Sequence, residues 1–527
     1  MSGAEESGLY ADRPRYPFAR PPELDGASPQ HPVAIVGGGP VGLTLALGLA
    51  RRGVACTVIE ARDSASFGSR ACCISRRSLE IWDGIGVGEE ALRQGLPWTG
   101  GRSFWRGHPV LSFAMPGGPE DRHPPMINLQ QGYAEQILID AALAEPLIDL
   151  RWHSSVLGLS DGALRIGTPE GDYTLHADWI AAADGARSAI RAALGLRLEG
   201  TSYEGRYLIA DIRFPSDAPV ERRAWFDPPS NPGSTVLMHR QPRDIWRIDY
   251  QLRDDEDAEA ELAEPRVRAR IGAHLAMIGE GPDYELVWRS LYRAHTLTLD
   301  RYRHGRVLFL GDAAHLVPIF GVRGLNSGID DAHNFAWKLA AVIHGEGGDA
   351  LLDSYSDERV FAARENIRQS RKSTLFMTPP GRGHALMRDA ALSLAVSKDF
   401  ARPLVNPRQT TAITYADSPL NTPEGGAWAA GVPVGAVLPN LPHDGGHLHD
   451  ALGSRAAVLL GPGGVEEEAR ALGLHVVRPR GDTAAALGLD APGAGMLVRP
   501  DTHLAWRWRA APPGALRRAR DRMMGRA

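Results

Sequence analysis

Three glycines at the spacing G-x-G-x-x-G, Gly37, Gly39 and Gly42, stand between an apolar run at 33–36 and a run with helical spacing at 43–52. Each glycine has a separate task. Gly37 permits a tight turn, Gly39 lets the backbone approach a pyrophosphate, and Gly42 lets the helix pack close on the strand, with Pro40 and Val41 opening the helix. The helix N-terminus then offers free N–H groups and the positive end of its dipole to phosphates. A second strand at 56–59 leads into Glu60, at the distance where a carboxylate accepts a ribose hydroxyl. Together these features specify a dinucleotide site, and by themselves they do not decide between FAD and NAD.

A second constellation decides it. Val307-Leu-Phe-Leu-Gly-Asp-Ala-Ala-His315 places an acid directly after a buried strand, where Asp312 can accept hydrogen bonds from a sugar-alcohol chain. A helix is expected from about Asn326 to His344, with Asn326 or Ser327 as its N-cap. Its dipole would face negative charge developing on the pyrimidine edge of a reduced flavin. With Pro318-Ile-Phe-Gly-Val-Arg-Gly-Leu-Asn-Ser-Gly328, Asp331-Ala-His-Asn-Phe-Ala-Trp-Lys338 and Ala183-Asp-Gly-Ala-Arg-Ser-Ala-Ile-Arg191, the chain resembles the flavoprotein aromatic hydroxylases. The 3-(3-hydroxyphenyl)propionate hydroxylase branch is the closer likeness. The three motifs, in order, span roughly 31 to 340.

The resemblance implies an α/β architecture: a Rossmann-type FAD-binding domain, an inserted β-sheet substrate domain and a thioredoxin-like C-terminal domain. It implies FAD as cofactor, NADPH or NADH as co-substrate, and hydroxylation of a small phenolic substrate by O2 through a flavin C4a-hydroperoxide. FAD-binding residues carried over on matching positions are Arg70, Gln131, Val156, Asp184, Gly324, Leu325 and Asn326, beside Gly37, Gly39, Pro40, Val41, Gly42, Glu60 and Asp312. Two alternatives stay open: a tailoring enzyme of the same fold (epoxidation, Baeyer–Villiger oxidation or dehydrogenation), and a flavin-binding protein without turnover.

The substrate ring is expected between flavin and inserted sheet, with Tyr207, Asp211, Trp225, Met238, Trp246, Tyr250, Pro318 and Phe320 as lining candidates. Asp211, His239 and Pro318 are the candidate catalytic residues, Asp211 or His239 serving as base toward the phenol. Strand alternation puts Tyr207, Ile209 and Asp211 on one face.

Positioning these residues requires several units. Residues 1–30 read as an extended arm lying on the body or on the second subunit of a homodimer. Residues 31–200 form the first part of the FAD domain, with elements of the substrate domain around 75–130; 201–300 form the substrate sheet, 301–403 the rest of the FAD domain with helices, and 404–527 the C-terminal domain. That last unit reads as strand 456–460, helix 464–472, strands 474–478, 495–498 and 504–509, and helix 513–524.

At 527 residues, 43% hydrophobic and 23% charged, the composition is that of a multidomain enzyme. A net charge of -5 gives no electrostatic reason for a nucleic-acid or membrane partner. Cys56, Cys72 and Cys73 show no C-x-x-C spacing, so no metal site and a reduced, cytoplasmic thiol set are expected.

Overall fold

The strands Val307–Phe309, Gly171–Ala182, Gln30–Val36, Cys56–Ile59 and Ile148–Arg151 lie side by side in that order, all parallel, in a computed structural model of the chain. The structure describes residues 13–68, 71–160, 162–318, 320–405, 409–424, 428 and 431–526. Parallel strands are covered on both faces, which is why Val33, Ala34, Ile35, Leu308 and Phe309 are all fully buried. The helix Pro40–Ala50 packs between Gln131–Leu143 and Gly324–Ile343. A hairpin, Ser155–Ser160 and Ala163–Thr168, pairs antiparallel onto the first half of Gly171–Ala182.

The second large sheet runs His315–Leu316, Glu285–Thr298, Glu199–Arg213, Ile245–Leu252, Thr235–Arg240, Arg222–Phe226, Gly100–Trp105, His108–Ala114. Only Arg222–Phe226 against Gly100–Trp105 is parallel. One face buries Leu208, Ala210, Ile212, Trp225, Met238, Trp246, Ile248 and Tyr250 against Val267, Ile271 and Leu275 of helix Glu264–Ile278. Ile209, His239, Arg247 and Asp249 point to the opposite face, toward the first sheet.

A small mixed sheet closes the chain, ordered His475–Val477, Ala457–Leu460, Gly495–Val498, Leu504–Trp508. The first pair is parallel and the other two antiparallel. A helix at Gly481–Leu487 lies where the sequence reading placed only a connection; its seven residues are too few to show a helical period. The described part of the arm lies on the body, with Tyr16 stacked on Trp152 at 4.6 Å and its amide bonded to the Asp63 carbonyl at 2.7 Å. Among the described residues no helix is long and apolar enough to cross a membrane.

The expected N-cap is corrected. The long helix begins at Gly324 with Arg323 in the N-cap position, so Asn326 and Ser327 lie in its first turn. Asn326 is buried, and its amide accepts from Ser75 N at 2.9 Å and the Ser78 hydroxyl at 2.7 Å while donating to the Cys73 and Val322 carbonyls. It ties two chain segments together and does not line the cavity described next.

Candidate active site

A single cavity of about 2480 Å³ runs from the glycine turn at 37–42 to the polar face of the second sheet. At its first end, geometry accounts for each glycine. A Cβ on Gly37, at φ +105°, would meet the Ala183 carbonyl oxygen at 2.4 Å, and one on Gly42 the Gly37 oxygen at 2.0 Å. A Cβ on Gly39 would meet nothing within 4 Å, and the residue borders the cavity at the start of helix Pro40–Ala50. Val41 packs where Cβ atoms of Gly311 and Gly328 would sit, joining this helix to the 311–328 segment.

Glu60 is buried at the cavity wall. Its Oε2 accepts from Gly38 N at 2.7 Å and its Oε1 from Arg62 Nε at 2.9 Å. Burial opposes ionisation there, but Arg62 and the two backbone amides hold the carboxyl below its usual range. Gln131 also lines the cavity; it donates to Glu135 at 2.7 Å and accepts from Ala71 N at 3.3 Å. Glu135 in turn receives Ser66 N at 2.6 Å, so Gln131 and Glu135 hold the amides of Ala71 and Ser66. Arg70 lies outside the described residues. Val156 is half-buried on its strand and faces the same cavity.

Asp312 is exposed to the cavity on the turn Gly311–Ala313. What holds the turn is Asp331, whose Oδ2 takes Gly311 N at 2.9 Å and His315 Nε2 at 2.7 Å while Arg359 Nε reaches Oδ1 at 2.5 Å. Burial alone would push Asp331 up, yet Arg359 and His315 bring it down to about 2. Asp184 accepts from Ile190 N at 3.1 Å through Oδ2, whereas its buried Oδ1 has no hydrogen-bond partner. Ser188 caps the following short helix through Arg191 N at 2.9 Å. Gly324 and Leu325 border the cavity as well. An open pyrophosphate cradle, an orphaned carboxylate oxygen at Asp184 and an acid presented at Asp312 fit the polar groups of FAD.

At the other end the sequence reading mixed the two faces of the sheet, and Ile209 and His239 are on the face that borders the cavity. Of its lining candidates only Pro318 borders the cavity. Trp225, Met238, Trp246 and Tyr250 turn away onto helix Glu264–Ile278, and Tyr207 and Phe320 join a separate apolar cluster with Met377 and Leu392. The face toward the cavity carries Arg222, His239, Arg247, Asp249, Trp288 and Tyr292. Asp211 is fully buried outside the lining, and both its oxygens take the Arg247 guanidinium at 2.9 Å, which leaves it a pairing residue rather than a base.

His239 remains on the wall with Nδ1 unpartnered and Nε2 3.3 Å from Cys72 Sγ. Beside it Asp249, 6% exposed, also leaves Oδ1 without a partner. Burial pushes the Asp249 carboxyl up, and His239, Arg247 and Arg222 pull the other way. Arg222 borders the same space. Asp249 and Arg222 escaped the sequence reading because alternation distinguishes two faces without saying which one meets the flavin. The ligand atoms of Cys72, Cys73 and His239 fall within 4.8 Å of one another, but the Arg247 guanidinium, 3.5 Å from Cys72 Sγ, puts a positive charge where a cation would bind.

Comparison with known proteins agrees with this geometry. The family model described as "FAD binding domain" matches residues 30–370. A 3-(3-hydroxy-phenyl)propionate/3-hydroxycinnamic acid hydroxylase of Mycolicibacterium smegmatis is 31% identical over 368 residues, covering 68% of this chain and 63% of that protein. The chain thus spans less than two thirds of the length of that relative. The flavin-dependent monooxygenase PieE, solved with FAD and substrate, superposes with TM-score 0.79 at 25% identity over 95% of this chain and 100% of its own. OxyS anhydrotetracycline hydroxylase from Streptomyces rimosus gives 0.70 at 26% identity over 94% of this chain and 99% of its own.

Proposed function

The chain belongs to the FAD-binding-domain flavoproteins, on the aromatic hydroxylase branch, and from that premise we propose that it is an FAD-dependent monooxygenase hydroxylating a phenolic ring with NAD(P)H and O2. The observation that carries the reading is the continuity of one cavity from the Gly37–Gly42 cradle to His239 and Asp249. Gly37, Gly39, Gly42, Asp184 and Asp312 would hold FAD, and bound there it would supply the redox chemistry. The protein's part is to orient and to manage protons. Helix Gly324–Ile343 directs its N-terminus toward the cavity, where its dipole favours negative charge. His239, with a free Nδ1, accepts the phenolic proton, and Asp249 beside it holds or relays that proton. Trp288 and Pro318 shield the ring from water.

A thioredoxin-like reading of the C-terminal unit is supported by its sheet, one parallel and two antiparallel pairs in four strands. The likeness to OxyS anhydrotetracycline hydroxylase favours a second reading of the substrate, a larger fused-ring phenol. A panel of monocyclic and polycyclic phenols tests both, with NADPH and NADH consumption followed and products weighed by mass spectrometry. Stimulated consumption with one added oxygen supports the reading. Consumption without oxygen incorporation would move the chain to a different flavin chemistry.

A further inference from the structure

Cys72 and Cys73 are neighbours in sequence but opposites in bonding. Cys73 donates its S–H to Asn128 Oδ1 at 3.1 Å, and that amide is oriented by its own donation to the Arg240 carbonyl at 2.7 Å. Cys73 Sγ also lies 3.9 Å from Cys72 Sγ. Cys72 Sγ instead accepts from Arg247 Nη1 at 3.5 Å, on a guanidinium whose other two nitrogens fork onto Asp211, and lies 3.3 Å from His239 Nε2. Both cysteines border the large cavity, as do His239 and Asp249, each more than nine-tenths buried and each with one side-chain atom, Nδ1 and Oδ1, left without a partner among the described residues.

We propose that Cys72 is a thiolate nucleophile in the wall of the substrate cavity, and that it captures quinones and related electron-poor unsaturated carbonyl compounds bound there. Charge supports an anion over a metal ion: Arg247 is paired with Asp211, and burial pushes the Asp249 carboxyl toward neutrality, so Arg222 is the spare charge facing the cluster. The thiol contact with Cys73 first, and then Arg247 and His239, hold the Cys72 thiol well below its ordinary range against burial, while Cys73 is pushed up. Cys56 is an internal control, since burial in the first sheet raises it to about 12.

The step balances by itself. The sulfur lone pair forms a C–S bond to the ring carbon conjugated with the carbonyl, and the displaced π pair moves to the carbonyl oxygen. A proton delivered through His239 neutralises that oxygen, and transfer of the ring proton to the second carbonyl oxygen restores aromaticity. The quinone is thereby reduced to a thioether-substituted hydroquinone, with no further oxidant. Hydroxylated phenols of the catechol or hydroquinone type, once oxidised, are such electrophiles, so Cys72 would record escaped product as a covalent block. The site itself stands on the residues around Cys72 whatever reaction the flavin performs.

The test treats the FAD-loaded protein with 1,4-benzoquinone or N-ethylmaleimide and maps adducts by intact mass and peptide mass spectrometry, with urea-unfolded protein labelled alongside. One adduct per native chain, on Cys72, is expected, and all three cysteines should label after unfolding. Between about pH 8 and about pH 6 the native rate should change by less than roughly threefold, whereas an ordinary thiol would lose on the order of 100-fold of its thiolate. Cys73→Ser should keep the adduct and Cys72→Ser abolish it; if Cys72→Ser does not fold, the wild-type map and pH profile suffice. Adducts first on Cys73 or Cys56, no native adduct, a steep loss of rate toward acid, or zinc retained through dialysis and lost with Cys72 would each overturn the proposal.

Discussion

Two buried charge clusters in this molecule are built differently. At the junction with the C-terminal unit, Glu358 takes Arg499 at 2.6 and 2.9 Å, Lys338 at 2.7 Å, Asn334 at 2.8 Å and the Ser418 hydroxyl at 2.5 Å. Asp501 takes Arg499 at 2.9 and 2.6 Å and the Trp337 indole at 2.9 Å. Every carboxylate oxygen there is saturated. At the cavity wall, by contrast, Asp249 Oδ1, His239 Nδ1 and Asp184 Oδ1 have no hydrogen-bond partner among the described residues. An unsatisfied buried polar group costs about 1–3 kcal/mol, and a ligand in the cavity would give these three partners. The saturated carboxylates hold two parts of the chain together, and the incomplete groups sit on residues that face the cavity.

Breaking the saturated cluster should cost the most. Glu358→Ala leaves Lys338 and Arg499 buried with too little compensation and should lower unfolding free energy by about 3–5 kcal/mol in urea titrations. A loss below about 1 kcal/mol would show that the junction contributes little. At the incomplete cluster the damage should fall on turnover instead. His239→Gln is expected to lower kcat by roughly 100-fold, about 2.7 kcal/mol in activation free energy, while retaining FAD absorbance.

A third test uses acid. Asp331 sits near 2 in the folded chain against an ordinary value near 3.8, so its contribution is present above the unfolded value. It is lost as pH falls from about 4 through about 2, a change of roughly 2 kcal/mol readable in unfolding midpoints. Stability that stays flat across that window would mean Arg359 and His315 do not hold it. The smallest effect belongs to Asp249→Asn, which removes a carboxyl already pushed toward neutrality. Stability should move by no more than about 1 kcal/mol, checked by the same titrations; a loss near 3 kcal/mol would erase the contrast between the clusters.

Much of the cofactor end was legible because its constraints are local. Gly37, Gly42 and Gly311 are dictated by close backbone approaches and by positive φ at Gly37 and Gly311, and such demands leave glycine in the sequence. The partners that aim these residues were not legible. Asp331 reaches Gly311 across 20 residues, and Asn326 reaches Ser75 across 251. The three-stranded sheet of Cys73–Ser75, Met126–Asn128 and Leu96–Trp98 escaped notice for the same reason, since three-residue strands carry too little pattern.

The sequence by itself determined the turn at 37–42, the acid at 312 and the family to which they point. The tertiary structure alone decided which face of the second sheet meets the cavity. Period-two alternation separates Trp246, Ile248 and Tyr250 from Arg247 and Asp249, but both sets are buried. Helix Glu264–Ile278, packing its apolar side chains on the aromatic set, turned the charged set inward and made Cys72, His239 and Asp249 neighbours.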